Sequence, residues 1–304
     1  MSDPFERFKQ RLATGEILLG DGAWGTQMQK AGLQLGDCPE EWNLSRPDVI
    51  TGIAREYFQA GADFCLTNTF GGNRYRLVRH GMADRMREIN VAGARLSLSA
   101  ANELNKVVLA SIGPTGEYLE PEGMLKSTEM LSAFREQMQA LREGGVQGVC
   151  IETMYVLNEA VLAVQAAREL DLFCMVSMTY DKTPSGFQTM MGTSVAEATR
   201  ALDRAGADVL GTNCGNGMAE IVAVVREMRG LTTRPLLVKP NAGLPRMVAP
   251  ASAPASVPAS PVYDETPEKM AAHIGALRSA GVSIIGGCCG TTPEHIRAFR
   301  AALE

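Results

Sequence analysis

Short apolar runs alternate with amphipathic stretches along almost the whole chain. Eight runs have the length and apolarity of buried strands, and a stretch with helical spacing of apolar positions follows each before the next strand begins. The predicted strands are residues 17–22, 63–70, 107–113, 148–153, 173–180, 209–215, 235–241 and 283–289. The predicted helices are residues 46–60, 84–105, 127–143, 157–170, 194–205, 218–229, 267–280 and 293–303. Eight strand-helix units are what an α/β protein of the (β/α)8 TIM barrel type requires, so the pattern predicts one barrel over residues 1–304.

Two segments depart from this alternation. Residues 26–45 contain Gly32, Gly36 and Pro39 and predict a long first connection without regular structure. Residues 249–262 consist of Pro, Ala and Ser apart from valine, which predicts an extended low-complexity loop. That loop follows a strand, where a lid is conceivable, but we favour a tolerated surface insertion.

Glycine recurs where a helix ends and the next strand begins. It does so at residues 60–63, 144–146, 205–208 and 280–282, and the first and third of these segments both read Ala-Gly-Ala-Asp. A glycine just past a helix provides a left-handed cap, so the repetition predicts a recurring turn. Any parallel α/β sheet shows such turns, and the count of eight units therefore carries the barrel prediction.

The overall composition is that of a globular protein. Of 304 residues, 45% are hydrophobic and 21% are charged, which excludes disordered and fibrous classes. With 29 basic and 34 acidic residues, the net charge of −5 provides no basic field for nucleic acid or an anionic membrane. The charged N-terminus lacks the apolar core of a signal peptide, and no window is as apolar as a spanning helix. We expect a cytoplasmic protein that binds neither nucleic acid nor membrane, and the sequence leaves open whether it forms a homo-oligomer.

The seven cysteines are an odd number and do not suggest a disulfide framework. Cys38, Cys65, Cys150 and Cys174 fall in apolar strands or the first connection, where packing is the expected role. The remaining three, Cys214, Cys288 and Cys289, end the sixth and eighth predicted strands. Active sites of such barrels lie at the C-terminal ends of the strands, so these three are the candidates for chemistry.

Three convergent thiolates with one open position describe a catalytic zinc site. Adjacent residues of a regular strand point to opposite faces, so Cys288 and Cys289 need the freedom that Gly286, Gly287 and Gly290 give the chain. Zinc held by three thiolates carries a net charge of about −1 and favours another sulfur as ligand. This predicts alkyl transfer to a thiol rather than hydrolysis. The three histidines lie in predicted helices or beside them, where ligation is not expected.

Two carboxylates are expected at the same rim. Asp21 ends the first predicted strand and Glu152 the fourth. Such a pair can perform acid-base chemistry, hold an ammonium group, or merely cap a loop, and we favour the ammonium role because zinc already activates the thiol. Thr67, Asn68 and Asn213 lie at other strand ends and are further candidate substrate contacts.

The segment Gly20-Asp21-Gly22-Ala23-Trp24-Gly25 matches the G-x-G-x-x-G fingerprint of dinucleotide-binding folds. Such a fold needs a helix and a second strand within about 30 residues of the turn. A loop-like stretch follows instead, and the next predicted strand starts only at residue 63. We therefore reject a dinucleotide site.

Seven motifs in chain order resemble those of the homocysteine S-methyltransferase family. They are GDGAWGTQMQKAG, ADFCLTNTFGGNRYRL, SIGPTGEYLEP, CIET, GTNCG, KPNAG and GGCCGTTPEHI, and they cover nearly all of the chain. Their spacing is most similar to the homocysteine-binding barrel of cobalamin-dependent methionine synthases and to short bacterial betaine-homocysteine methyltransferase-like proteins. The resemblance implies a barrel in which the three candidate cysteines bind Zn²⁺ together with the homocysteine sulfur. It also implies that Asp21 and Glu152 contact the amino group, and that Thr67, beside Asn68, helps to hold the carboxylate.

Two positions depart from the family pattern. Trp24 replaces a smaller residue, and Gly71-Gly72 stands where betaine-using relatives place an aromatic residue. A quaternary ammonium donor is best bound by aromatic side chains, so the second departure argues against betaine.

The resulting hypothesis is a zinc-dependent enzyme of methionine biosynthesis that transfers a methyl group to homocysteine. The barrel takes up all 304 residues and no D-x-H-x-x-G stretch is present, so we expect the methyl donor on a separate corrinoid protein. Betaine or S-methylmethionine is the alternative donor. A non-catalytic zinc-binding or redox-sensing barrel is the alternative of another class.

Overall fold

Eight parallel strands form a nearly closed barrel in the computed structural model, which describes residues 3–248 and 260–304. The strands are β1 Leu18–Leu19, β2 Phe64–Leu66, β3 Val107–Ile112, β4 Gly148–Met154, β5 Phe173–Met178, β6 Val209–Asn213, β7 Leu236–Lys239 and β8 Ile284–Ile285. Each pairs with its neighbours in chain order from β2 to β8, and β8 pairs with β1. The predicted α/β barrel and its eight strands are confirmed, although most strands are shorter than predicted.

Strands β1 and β2 are the two ends of the strand order, and only isolated hydrogen bonds cross the seam between them in the described residues. At its lower end the N–H of Asp63 donates to the carbonyl oxygen of Leu19 over 2.7 Å, and the Asp63 carboxylate accepts the N–H of Leu19 over 2.8 Å. At its upper end the Asp21 carboxylate accepts the N–H of Leu66 over 2.7 Å. Two aspartate side chains therefore help to close the barrel where the paired strands end.

Helices surround the barrel and, except for the first and the last, lie between successive strands. They are α1 Pro4–Ala13, α2 Trp24–Lys30, α3 Trp42–Ser45, α4 Pro47–Gln59, α5 Arg74–Leu77, α6 Met86–Leu104, α7 Ser127–Glu143, α8 Leu157–Glu169, α9 Val195–Arg204, α10 Met218–Arg229, α11 Pro267–Ala271, α12 Ile274–Ser279 and α13 Pro293–Leu303. Their apolar faces and the outward side chains of the strands form the larger core. The inward side chains form a second core at the base of the barrel, to which α1 contributes Phe5, Phe8 and Leu12.

Several elements differ from the sequence predictions. The connection over residues 26–45, predicted to be irregular, contains α2, α3 and a 3₁₀ turn at Pro39–Glu41. Helix α1 was not predicted because charged residues separate its three buried apolar positions. The predicted helix over residues 267–280 is two short helices, α11 and α12.

Two small antiparallel ladders stand outside the barrel. One pairs Asp181–Thr183 with Gly186–Gln188 after β5, and the other pairs Arg246–Val248 with Ser260–Val262 after β7. The last three residues of the predicted loop 249–262 are therefore a strand, and residues 249–259 of that loop lie outside the described residues. Within the described ranges no helix has both the length and the apolarity needed to cross a membrane.

Candidate active site

A cavity of about 280 Å³ opens at the C-terminal ends of the strands. Its wall brings together groups that are distant in sequence, among them Trp24, Glu152, Lys239 and the three candidate cysteines. The strand ends and the loops after them supply nearly all of the lining, as a barrel of this kind requires.

The sulfur atoms of Cys214, Cys288 and Cys289 lie within 4.8 Å of one another. Cys214 follows β6 directly and has a left-handed backbone, with φ of 59°. Cys288 and Cys289 come after β8 has ended at Ile285, so the alternation of a regular strand does not apply to them. Both side chains therefore face the same cluster.

The chain after β8 is placed by backbone contacts. The N–H of Gly287 donates to the carbonyl oxygen of Asp21, and the N–H of Cys288 donates to that of Pro240, each over 2.8 Å. A side chain at Gly287 would lie 2.1 Å from the hydroxyl oxygen of Thr291. Thr291 in turn donates to the carbonyl oxygen of Cys288 over 2.6 Å. Glycine is thus needed for the tight turn that presents the two cysteines.

The three thiols compete for a single negative charge. Hydrogen bonds from the thiols of Cys288 and Cys289 lower the pKa of Cys214. The same contacts with Cys214 raise the pKa of Cys288 and of Cys289. Three thiolates at this separation need a cation among them, and a soft divalent ion such as zinc fits a set of three sulfur donors.

Two carboxylates line the cavity, Glu40, which is bound to the N–H of Gly71, and Glu152. Glu152 is 8% exposed and lies in β4. Its Oε1 accepts the hydroxyl of Ser111 over 2.6 Å, and its Oε2 accepts the ammonium of Lys239 over 2.9 Å. Lys239, at the end of β7, is only 3% exposed. Burial opposes its charge, but the carboxylates of Glu152 and Asp21 outweigh burial and raise the pKa of Lys239.

Asp21 lies behind the cavity wall. It is fully buried, and its Oδ2 accepts the N–H of Leu66 and the indole N–H of Trp24, each over 2.7 Å. Its Oδ1 has no hydrogen-bond partner in the described residues and lies 3.6 Å from Nζ of Lys239. Burial raises the pKa of Asp21, and the ammonium of Lys239 acts most strongly in the opposite direction.

Asn213 is also fully buried and links two parts of the site. Its Oδ1 accepts the N–H of Thr153 over 2.7 Å and the hydroxyl of Ser177 over 2.6 Å. Its Nδ2 donates to Oγ1 of Thr153 over 2.7 Å and to the sulfur of Cys288 over 3.8 Å. Thr153, which follows Glu152 in the chain, has φ of 61°, a strained conformation for a β-branched residue. The hydrogen bonds to Asn213 hold the backbone in this conformation.

Thr67 and Asn68 line the cavity, but their side chains are engaged by the protein. Nδ2 of Asn68 donates to the carbonyl oxygen of Pro39 over 2.8 Å and to Oδ1 of Asn43 over 3.1 Å. Oγ1 of Thr67 accepts the N–H of Ser111 over 3.1 Å. These side chains shape the loop after β2, so a ligand would meet mainly its backbone.

Gly71 and Gly72 are glycines because buried polar side chains approach the same loop. Glu40 accepts the N–H of Gly71 over 2.6 Å, and Asn90 donates to the carbonyl oxygen of Gly72 over 2.7 Å. A side chain at Gly72 would lie 2.5 Å from Oδ1 of Asn90. This position has no room for an aromatic side chain.

Lys239 was missed by the sequence analysis. It was counted within a predicted strand, yet a lysine at the end of an otherwise apolar strand is itself a signal of a paired buried charge. The burial predicted for Cys38, Cys65, Cys150 and Cys174 is confirmed. His295 caps its own helix through Thr292 and contacts the carbonyl oxygen of Glu265.

Comparison with known proteins identifies the family. The family model described as homocysteine S-methyltransferase matches residues 18–303. The chain belongs to the homocysteine S-methyltransferase family. This membership confirms the family and the methyltransferase class that the motifs predict.

Two curated relatives are methionine synthases. That of Mycobacterium leprae is 36% identical over 321 residues, an alignment that covers 99% of this chain and 25% of that protein. That of Mycobacterium tuberculosis is 36% identical over 306 residues, with 94% and 24% covered. The chain thus spans about a quarter of the length of these relatives.

Among solved structures, the homocysteine methyltransferase MmuM from Escherichia coli in its metallated form superposes with a TM-score of 0.76. The two proteins are 22% identical, and the match covers 94% of this chain and 96% of that one. At this identity the likeness supports the barrel fold.

Proposed function

We propose that this member of the family transfers a methyl group to the sulfur of homocysteine and forms methionine. The observation that carries the proposal is the group of three thiols whose sulfurs lie within 4.8 Å, in a cavity that also exposes a carboxylate. The methionine synthase relatives support methionine as the product.

We propose Cys214, Cys288 and Cys289 as the ligands of a zinc ion. When bound there, zinc supplies an open coordination position that binds a further sulfur and keeps it deprotonated near neutral pH. The chain contributes the donor set and the turn that presents it. Asn213, through its contact with the sulfur of Cys288, helps to fix the position of that ligand.

The rest of the cavity is suited to the amino-acid part of homocysteine. Glu152 offers a carboxylate to the ammonium group. The backbone N–H of Asn68, a residue of the cavity wall, has no acceptor among residues 3–248 and 260–304 and is available to a carboxylate. Trp24 and Phe70 give the cavity an apolar wall that excludes water from the reacting sulfur.

The reaction is a nucleophilic displacement at the methyl carbon of the donor. Homocysteine loses its thiol proton to solvent, a sulfur lone pair forms the new S–CH₃ bond, and the bond between methyl and donor breaks with its electron pair remaining on the donor. The protein accelerates this step by holding the sulfur at a fixed position against the incoming methyl group.

A methylated corrinoid carried on a protein is the donor we propose. Large apolar side chains are exposed in the connections that follow the C-terminal ends of the strands, the end of the barrel at which the cavity opens. They are Leu35, Tyr118, Met124, Met190, Met191, Leu244 and Met247. A protein carrier would cover such a surface, whereas betaine or S-methylmethionine would leave it in water.

The test is a donor screen with homocysteine under reducing conditions. Methionine formation is measured with a methylated corrinoid protein, betaine and S-methylmethionine. We expect methionine with the corrinoid protein and none with betaine or S-methylmethionine. Activity with one of the small molecules instead would show that this molecule, and not the corrinoid protein, is the donor. Zinc bound at about one ion per chain without methylation by any donor would favour the zinc-binding or redox-sensing alternative.

A further inference from the structure

Tyr263 lies against the cysteine cluster although it does not line the cavity. It follows the short strand Ser260–Val262, precedes α11 and is half-buried. Its hydroxyl donates a hydrogen bond to the sulfur of Cys289. The proposed function gives this contact no role, and neither does the sequence analysis.

The ring of Tyr263 packs on the turn that presents Cys289. Gly290, the next residue of that turn, has a left-handed backbone with φ of 80°. A side chain at Gly290 would lie 2.4 Å from Cβ and from Cγ of Tyr263, so only glycine lets the ring come this close. Packing therefore orients the ring, and with it the hydroxyl, toward the sulfur.

The backbone that follows Tyr263 is tied to the loops on both sides of the cluster. The N–H of Glu265 donates to the carbonyl oxygen of Ala242 over 3.0 Å, and the N–H of Ala242 donates to that of Cys289 over 2.9 Å. The carbonyl oxygen of Glu265 contacts Nε2 of His295 in α13 over 3.0 Å. These bonds give Tyr263 a fixed place beside the cysteine turn.

Each sulfur of the cluster receives a hydrogen bond from a side chain outside it. The pairs of donor and acceptor are Asn241 with Cys214, Asn213 with Cys288, and Tyr263 with Cys289. Three thiolates leave a divalent ion with a net charge of about −1, and hydrogen bonds to the sulfurs withdraw part of that charge. Neutral donors achieve this without adding a fourth protein ligand, which would close the open position.

We propose that Tyr263 is a positioning residue of the zinc site, which fixes the sulfur of Cys289 and moderates its electron donation to the metal through the hydroxyl hydrogen bond. The inference rests on the proposed zinc-thiolate chemistry and extends it to a residue outside the cavity. Tyr263 is not a ligand itself and acts only through Cys289.

The test compares two variants that each lose one phenolic hydroxyl. Tyr263→Phe keeps the ring on Gly290, and Tyr75→Phe is the matched control because Tyr75, in α5, is half-buried and does not line the cavity. The zinc affinity of the full chain is measured by competition with a chelating dye. The thiolate-to-metal charge-transfer bands are recorded after zinc is replaced by Co²⁺.

Tyr263→Phe should bind zinc about tenfold more weakly than wild type. Its cobalt bands should move to longer wavelength, because a sulfur without the hydrogen bond holds its electrons less tightly. Tyr75→Phe should match wild type in both measurements. A residue that only packs would leave the bands in place, so unmoved bands in Tyr263→Phe, whatever the zinc affinity, would overturn the inference.

A measurement on the wild-type sequence covers the case in which Tyr263→Phe does not fold. Incorporation of 3-fluorotyrosine makes each phenol a stronger donor, and among the six tyrosines only Tyr263 hydrogen-bonds a cluster sulfur within residues 3–248 and 260–304. The cobalt bands should then move to shorter wavelength, and unmoved bands would overturn the inference.

Failure of the inference and failure of the proposed function give different results. Wild-type protein that binds neither zinc nor Co²⁺ rejects the proposed ligand set itself. Normal metal binding with bands that respond to neither change rejects only the assignment of Tyr263.

Discussion

Asn213 is a single buried amide that organises two separate parts of the candidate site. Its hydrogen bonds fix the strained backbone of Thr153, the residue that follows Glu152. Its amide nitrogen also contacts the sulfur of Cys288. The carboxylate and the thiol cluster are therefore linked by one side chain, although Asn213 does not border the cavity. Its role as a substrate contact stays a prediction, and the contacts described for its side chain all lie within the protein.

Replacing Asn213 by alanine should affect stability and activity together. The N–H of Thr153 and the hydroxyl of Ser177 lose their acceptor, which should lower the free energy of unfolding by about 2–4 kcal/mol. Urea unfolding measures this change. Asn213→Asp keeps an acceptor oxygen for both donors and should be less destabilised, and equal stability of Asn213→Ala and wild type would contradict the account.

Replacing a cysteine of the cluster should remove bound zinc, whereas replacing a buried cysteine outside it should not. Cys214→Ala, Cys288→Ala and Cys289→Ala should each reduce bound zinc from about one ion per chain to a small fraction and remove methyl transfer. Cys174→Ala is the matched control, because Cys174 is buried near the start of β5. Elemental analysis measures the metal, and normal zinc in the Cys288→Ala protein would refute the proposed ligand set.

At the scale of elements, the repeated Ala-Gly-Ala-Asp segments perform the same task twice. Asp63 accepts the N–H of Leu19 in β1, and Asp208 accepts the N–H of Cys174 in β5, each over 2.8 Å. Each aspartate also donates its own N–H back to the same residue. The turn thus fixes where each new strand begins, and in the first case it spans the seam.

Asp63 should make stability depend on acidic pH. Burial alone would raise its pKa, but the N–H of Leu19 and the guanidinium groups of Arg300 and Arg11 outweigh burial and lower the pKa of Asp63. Because the pKa of Asp63 is lower in the folded than in the unfolded protein, its carboxylate stabilises the fold at pH values above the unfolded-state pKa of about 4. This stabilisation is lost as the pH falls through the folded-state pKa.

Asp63→Asn should therefore cost about 2–4 kcal/mol at neutral pH and flatten the loss of stability below about pH 4. Chemical denaturation at a series of pH values measures both effects. Asp208→Asn is the control, since its aspartate pairs with only one arginine at 3.6 Å. Parallel pH curves for wild type and Asp63→Asn would contradict this reasoning.

The sequence predicted elements and the cysteine cluster better than it predicted side-chain partners. Strand-helix periodicity and glycine turns are local signals, so the eight units could be counted. The cysteines were found because their chemistry stands out at strand ends. The enclosure of Asp21 by Trp24 and Lys239 could not be found, since these residues are distant in sequence and meet only when β1 and β7 lie in one barrel.

At the scale of the whole molecule, the exposed apolar side chains are concentrated at one end. Met190, which is 67% exposed, lies in the connection after β5, and Met247 lies in the short strand Arg246–Val248 after β7, so both are on the side of the barrel where the strands end. Leu104, at the end of α6, is exposed at the opposite end of the barrel. This distribution is consistent with the proposal that a protein donor binds at the mouth.

Met190→Glu combined with Met247→Glu should raise the KM for a methyl-corrinoid protein about tenfold or more. Homocysteine affinity should not change, because neither residue lines the cavity. Leu104→Glu is the matched control and should leave both constants unaltered. Steady-state kinetics with the carrier protein as the varied substrate measures this KM. An unchanged KM in the double variant would show that the donor contacts another surface.

The seam has a consequence for how this scaffold can acquire new substrates. Asp21 joins the two ends of the strand array and lies behind the wall of the cavity, next to Lys239. A substitution there to admit a different head group would also loosen ring closure. Glu152 and Lys239 sit on strands whose neighbours are paired by backbone bonds. Divergence of specificity, whether natural or directed, should therefore proceed through those two positions while Asp21 stays fixed.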